Sequence, residues 1–243
     1  MVQAGELSRL PGTWQIFQVE SPYADFLPTD ELEVLFEVNP WVVVSDLSAL
    51  QFHGLTDSNP GLIRVIRGRA LKSELLPLGT TREDWFDVPF PERRTPTRLL
   101  QSTIESRAVN ADRIFGFGEY QNHGVSIRVT TPERTLLDGL LLPDSSGGIL
   151  SVLEAWTRAK PLLDPNVLVQ FTERYGIAVL RQRVGYLMEA LGLHHQALDS
   201  WQRQARRGGS SKLVGTHPYS PMFSERWSLS LNAPVDAVGL AHC

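Results

Sequence analysis

Apolar side chains recur along this chain with two periods, and the change between them falls near residue 131. Before it, short alternating runs dominate. GTWQIFQV (12–19) sets Trp14, Ile16, Phe17 and Val19 among polar neighbours and predicts a strand. LIRVIRG (62–68), WFDVPF (85–90) and GVSIRVTT (124–131) predict three more. Residues 21–28 predict a loop. Thr29-Asp30 predicts a capped helix through Val38, broken by Asn39-Pro40. In WVVVSDLSALQFHGL (41–55), Val43, Leu47, Leu50 and Leu55 keep near-helical spacing, and Gly54 stands where that helix would stop. TDSNPG (56–61) predicts a turn, TPTRLLQSTIES (95–106) a short helix, and GFGEY (116–120) a turn or bulge.

From Gly148 the period lengthens. GILSVLEAWTRAK (148–160), DPNVLVQFTERYG (164–176), IAVLRQRVGYLMEALG (177–192) and HHQALDSWQRQARR (194–207) predict four successive helices, punctuated by Pro161, Pro165, Gly176 and Gly192. In the third, Leu180, Val184, Leu187, Met188 and Leu191 form one apolar stripe. RRGGSSK (206–212) predicts a loop and RWSLSLN (226–232) a final strand. No segment repeats at a fixed period. The expected fold class is α+β: a mixed β-sheet in the N-terminal half, a bundle-like helical segment, and a last strand that returns to the sheet.

Where the period changes, TTPERTLLDGLLLPDSSGG (130–148) gathers charge beside leucine. Thr130-x-x-Glu133 has capping-box spacing. A rival frame makes Thr131 the N-cap and Pro132 the first helical residue. Both place the Glu133 carboxylate in the first turn, where the helix dipole favours it. Leu136, Leu137, Leu140 and Leu141 share a face. Glu133 projects near it, toward the body of the protein. Arg134 and Asp138, at i and i+4, flank it and can pair. The reading is a capped helix with an intrahelical ion pair; the alternative is a functional role for partly buried charges.

Composition adds little: 243 residues, 42% apolar and 21% charged, suit one large domain or two small ones. The single cysteine, Cys243, has no partner for an internal disulfide. No basic stretch followed by an apolar one opens the chain, and its longest apolar runs are too short to span a bilayer. The expectation is a cytoplasmic protein with no membrane partner. Charge is uneven. Residues 1–50 hold eight acids and one base, net −7, and the other 193 hold 22 bases and 19 acids, net +3. An acidic N-terminal segment repels a phosphate backbone. Three basic clusters offer candidate nucleic-acid contacts: Arg64, Arg67 and Arg69 with Lys72; Arg93, Arg94 and Arg98; and Arg203, Arg206, Arg207 and Lys212. Arg64 and Arg67 are expected to share a strand face.

Catalytic patterns are missing from the sequence. Six histidines show no metal-ligand spacing, and His194-His195 sits where a helix C-terminus suits a cation. Ser45, Asp46 and His53 lack a nucleophile elbow. There is no phosphate-binding P-loop and no strand-linked G-x-G-x-x-G. The three lysines, Lys72, Lys160 and Lys212, form no nuclease motif. The expectation is a non-enzyme without cofactor or metal.

Four segments, SALQFHGL (48–55), VTTPERTLLDGLLLPDSSGG (129–148), LRQRVGYLMEALGL (180–193) and RWSLSLN (226–232), resemble in that order the signature segments of AbiEi-type antitoxins. These belong to type IV toxin–antitoxin systems linked to phage defence. The S-A-L-x-x-H-G-L and E-R-T-L-L-D-x-L pieces are the most specific. The resemblance implies an antitoxin or regulator that neutralises a nucleotidyltransferase-like toxin without requiring a stable complex. Ser48, His53, Glu133, Arg134 and Asp138 are then expected to hold a helix–strand junction. Family members begin with a winged helix-turn-helix. Here GTWQIFQV resembles the last wing strand and leaves no room for a recognition helix. Residues 1–38 are therefore expected to be a wing remnant, 39–235 the core and 236–243 a tail. The runner-up is a transcriptional regulator binding nucleic acid through its arginine clusters. A weaker third is a degenerate nuclease-like enzyme using Glu133 or Asp138.

Overall fold

The computed structural model describes residues 7–10, 13, 16–19, 30–69, 75–88, 95–208 and 210–240. The fold is α+β. The chain passes between two compact units: Met1–Ser45 with Asn59–Val129, and Asp46–Ser58 with Thr130–Cys243. The divisions thus fall inside the span 39–235 rather than at 38/39.

In the first unit, β1 (Leu7–Arg9) and β2 (Phe17–Val19) make an antiparallel ribbon with its own two-stranded sheet. The strand expected over 12–19 is seen in its last three residues. The loop at 21–28 lies outside the described residues. Helix α1 (Glu31–Val38) starts as expected. The Asp30 carboxylate accepts the N–H groups of Leu32 (2.8 Å) and Glu33 (3.2 Å), and buries Val34, Leu35 and Phe36 beyond it.

A six-stranded sheet follows, built from β3 (Val43–Val44), β4 (Leu62–Gly68), β5 (Arg98–Leu99), β6 (Ser102–Val109), β7 (Phe117–Asn122) and β8 (Val125–Thr130). Its order is β5-β6-β4-β3-β8-β7. β4 lies parallel to β6 from Leu62↔Thr103 to Gly68↔Val109, while β3 is antiparallel to β4 and parallel to β8. The two-residue turn between β7 and β8, His123-Gly124, takes φ of 46° and 95°, the left-handed pair that a tight hairpin needs. Trp41, Val43, Ile66, Leu75 and Val109 form an apolar core with Ile114 and Phe117 packed against it.

Four expectations change here. Val43 belongs to β3, and the helix expected over 41–55 begins only at Asp46. The run Val42-Val43-Val44 is β-branched and fully buried, which suits a strand with neighbours on both sides. The helix expected over 95–106 is β5 and the start of β6, where Ser102 and Ile104 are buried and Thr103 and Glu105 exposed. That is a period of two. Residues 83–85 form one 3-10 turn, and the strand expected over 85–90 is absent as far as residue 88, with 89–90 outside the described residues. GFGEY enters β7, with only Gly116 before it in a left-handed bend.

The second unit takes α2 (Asp46–Phe52) from the early excursion. It then takes α3 (Pro132–Leu141), α4 (Ile149–Ala159), α5 (Pro165–Tyr175), α6 (Ala178–Ala190) and α7 (Ala197–Gly208). The four helices after Gly148 appear where expected, and the α6 stripe of Leu180, Val184, Leu187, Met188 and Leu191 is buried. β9 (Ser211–Lys212), β10 (Phe223–Ser224) and β11 (Leu229–Ser230) form a separate sheet ordered β10-β11-β9. So α7 and β9 occupy most of the loop expected at 206–212, and the last strand does not return to the larger sheet. The chain before β11 is anchored on α6 through Trp227. Its ring fills a slot over Gly185, where an added Cβ would lie 2.2 Å from the indole. Gln182 donates to the Trp227 carbonyl (3.1 Å), and the indole N–H donates to Glu189 (2.6 Å). Residues 182, 185 and 189 lie along one side of α6, so this helix holds Trp227, two residues before β11.

Candidate functional site

The charges at the start of α3 are almost wholly inside the second unit. Thr131 is the N-cap, accepting Arg134 N–H at 3.4 Å, and Pro132 is the first helical residue. Thr130 instead shares a 2.7 Å hydrogen bond with the Thr135 hydroxyl. Glu133 accepts the backbone N–H of Asp164 (3.2 Å), and Asp164 in turn caps α5 through Asn166 N–H. One carboxylate in the first turn of α3 therefore braces the start of a second helix.

Arg134 and Asp138 form the expected i,i+4 pair, Nε to Oδ2 at 3.0 Å, but with side chains only 1% and 4% exposed. They do not flank the buried face; they are part of it. Tyr175, the last residue of α5, donates its hydroxyl to Asp138 Oδ1, and the Arg134 guanidinium lies 4.8 Å from the Tyr175 ring centre. Burial pushes the Asp138 carboxyl above its ordinary range. Arg134 opposes that shift, and the neighbouring charge of Asp46 adds to it. Asp46 is itself buried and holds φ at 53°, a left-handed conformation uncommon outside glycine and more tolerable for aspartate than for most residues.

The excursion 46–58 is fastened to this unit along its length. His53 Nε2 donates to the Thr130 carbonyl at 2.7 Å, and Asp57 pairs with Arg158 at 2.7 Å. Burial lowers the His53 pKa, against the Thr130 hydrogen bond and the charge of Glu133. Ser48 is buried on α2. Gly54 closes the helix with φ 67°, as expected. Glu133, Arg134 and Asp138 pack with three residues that the sequence pattern did not reveal: Asp164, Tyr175 and Asp46. At 1–7% exposure, Glu133, Arg134 and Asp138 present no open carboxylate to a substrate. Among the described residues no group of three or more His, Cys, Asp or Glu side chains could hold a metal ion.

The basic clusters are more scattered. Arg64 pairs with Glu105 at 2.9 Å. Its unbroken register in β4 puts Arg67, three residues on, on the opposite face, contrary to expectation. Arg69 and Arg203 are exposed. The side chains of Arg206 and Arg207, and residues Lys72, Arg93 and Arg94, lie outside the described residues. Lys212 donates to the His217 carbonyl at 2.9 Å and lies 5.4 Å from the Tyr219 ring centre. His195 accepts Ala197 N–H on Nδ1 (3.0 Å), so it serves the start of α7 rather than the end of α6. No helix among the described residues is long and apolar enough to cross a membrane.

No family model matches the chain, and no curated relative does. Among solved structures the chain is similar to the crystal structure of RV2827C protein from Mycobacterium tuberculosis. The TM-score is 0.56 and the identity 14%, over 92% of this chain and 74% of that one. At that identity the likeness is one of fold.

Proposed function

We propose that this chain is an antitoxin or regulatory protein of a type IV toxin–antitoxin system, neutralising a nucleotidyltransferase-like toxin in the cytoplasm without itself being an enzyme. One observation carries the reading. The four segments that resemble AbiEi-type antitoxins are far apart in sequence, yet all four meet inside the second unit. His53 of the first bonds Thr130 of the second (2.7 Å). Arg183 of the third bonds the Leu140 carbonyl of the second (2.7 Å). Gln182 and Glu189 of the third hold Trp227 of the fourth. Segments that mark a family and pack on one another are the parts of a shared core. The buried charges of E-R-T-L-L-D then serve that core rather than a reaction. The nucleic-acid reading draws less support, since Arg64 is committed to Glu105 and Arg67 faces away from it.

The test is growth rescue. The chain is co-expressed with a nucleotidyltransferase-like toxin, with thermal unfolding measured in parallel. Wild type restores growth; Arg134→Ala and Asp138→Ala lose rescue only as far as they lose folding. Folded wild-type protein that gives no protection overturns the proposal. Folded variants that lose protection overturn the structural role of the pair.

A further inference from the structure

Three arginines are buried among the described residues, Arg128, Arg134 and Arg183. Two of them meet carboxylates: Arg128 meets Glu119 at 3.3 Å and Arg134 meets Asp138 at 3.0 Å. Arg183 meets none. Its Nε donates to the Lys212 carbonyl (3.0 Å) and its Nη1 to the Leu140 carbonyl (2.7 Å). Its Nη2 donates to no described residue. Burial lowers its pKa with no nearby acid opposing the shift. A guanidinium inside a protein with only neutral partners lacks the counter-charge that normally offsets desolvation.

The free end of this guanidinium faces a way out. A Cβ placed on Gly215 would stand 3.5 Å from Nη2, and Gly215 is exposed. Its backbone is not left-handed, so a side chain would be tolerated there. The missing one leaves Nη2 uncovered. The loop around it is firmly held. Asn232 accepts Val214 N–H and donates to the Val214 and Pro218 carbonyls, each at 2.9 Å. Lys212 is fixed to the same loop through the His217 carbonyl, and the N–H groups of Gly215 and Thr216 donate to no described residue. A rigid, exposed turn therefore collects two cationic side chains and two backbone donors. Fixed donors around a concentrated negative charge are how proteins bind phosphate.

We propose that the 212–217 loop, with buried Arg183 as its floor and Lys212 at its side, binds a phosphate monoester dianion. The site goes beyond the antitoxin reading and stands or falls without it.

The experiment is calorimetric titration of the full chain with inorganic phosphate at fixed ionic strength and about pH 7.5, where the second phosphate proton is largely lost. Saturable one-to-one binding is expected, at least about tenfold tighter than for acetate or dimethyl phosphate. Gly215→Leu, which covers Nη2 and keeps every charge, is expected to weaken binding about tenfold or more with thermal unfolding little changed. Lys212→Met weakens it less than Gly215→Leu. Arg183→Met abolishes binding where that variant folds, and Gly215→Leu decides the matter where it does not. Unsaturable binding, wild-type affinity in Gly215→Leu, or equal affinity for acetate or dimethyl phosphate overturns the assignment.

Discussion

In the unit built on the six-stranded sheet, ion pairs sit at the rim. Arg64 meets a Glu105 side chain that is 56% exposed, and Arg128 meets a Glu119 that is 60% exposed. In the helical unit the Arg134–Asp138 pair is at most 4% exposed, with a tyrosine hydroxyl on one side and a second buried aspartate nearby. In the sheet unit each of these pairs keeps its carboxylate within reach of water. In the helical unit the Arg134–Asp138 pair has only protein partners, unlike the exposed Arg158–Asp57 pair of the same unit. The same chemical change therefore has different consequences in the two places.

The largest difference is expected at Arg134. Arg134→Ala leaves Asp138 buried without its cation and is expected to cost about 3–5 kcal/mol in urea unfolding. The double replacement Arg134→Met with Asp138→Leu is expected to cost less than that single change, because no charge is left stranded. A single-variant loss below about 1 kcal/mol would place the pair with ordinary surface pairs.

Gly185→Ala comes next. The new methyl overlaps the Trp227 ring, and overpacking of this kind costs about 1–3 kcal/mol or more. Loss of stability together with red-shifted tryptophan emission would show Trp227 leaving its slot. Wild-type stability and emission would show that the slot can widen.

Acidity separates two groups within the helical unit. Asp138 is held above the ordinary 3.8, so its contribution is complete below that value and is lost as pH rises through the raised one. His53 is held below 6.5, so its contribution is complete above 6.5 and is lost as pH falls through the lowered one. Melting temperatures measured across this range should show Asp138→Asn removing the decline toward alkaline pH. His53→Gln should remove the decline toward acid. Parallel profiles for all three proteins would show that neither group links protons to folding.

The smallest effect is expected in the sheet unit. Arg64→Ala should change stability by about 0–1 kcal/mol, and a larger loss would mean that the rim is not as replaceable as its exposure suggests.

The same contrast governs what could be read from sequence. Helices α4 to α7 were legible because each buries one face, and β4 and β8 because they alternate. Val43 was misread because one valine fits a helical count as well as a strand, and only its parallel and antiparallel neighbours decide. Ser102 to Ser106 carry a single apolar residue, Ile104, so no alternation marks them as a strand. At the site, Glu133, Arg134 and Asp138 were visible because they lie within two turns of one helix. Tyr175 lies 37 residues from Asp138, so no local spacing connects them. Gly185 and Trp227 are conspicuous only as a pair, and Arg183 beside the α6 stripe looks like any outward-facing cation until its neighbours are known.

Helix α2 is part of the helical unit, yet it is separated from α3 by the sequence of most of the sheet. During synthesis its apolar face, Leu47 and Leu50 included, leaves the ribosome well before the helix that covers it. A chaperone or provisional partner would find its substrate there. A break placed at the 129/130 boundary would leave α2, a piece of the second unit's fold, on the first fragment. Such fragments should recover the native protein by complementation, not by folding separately.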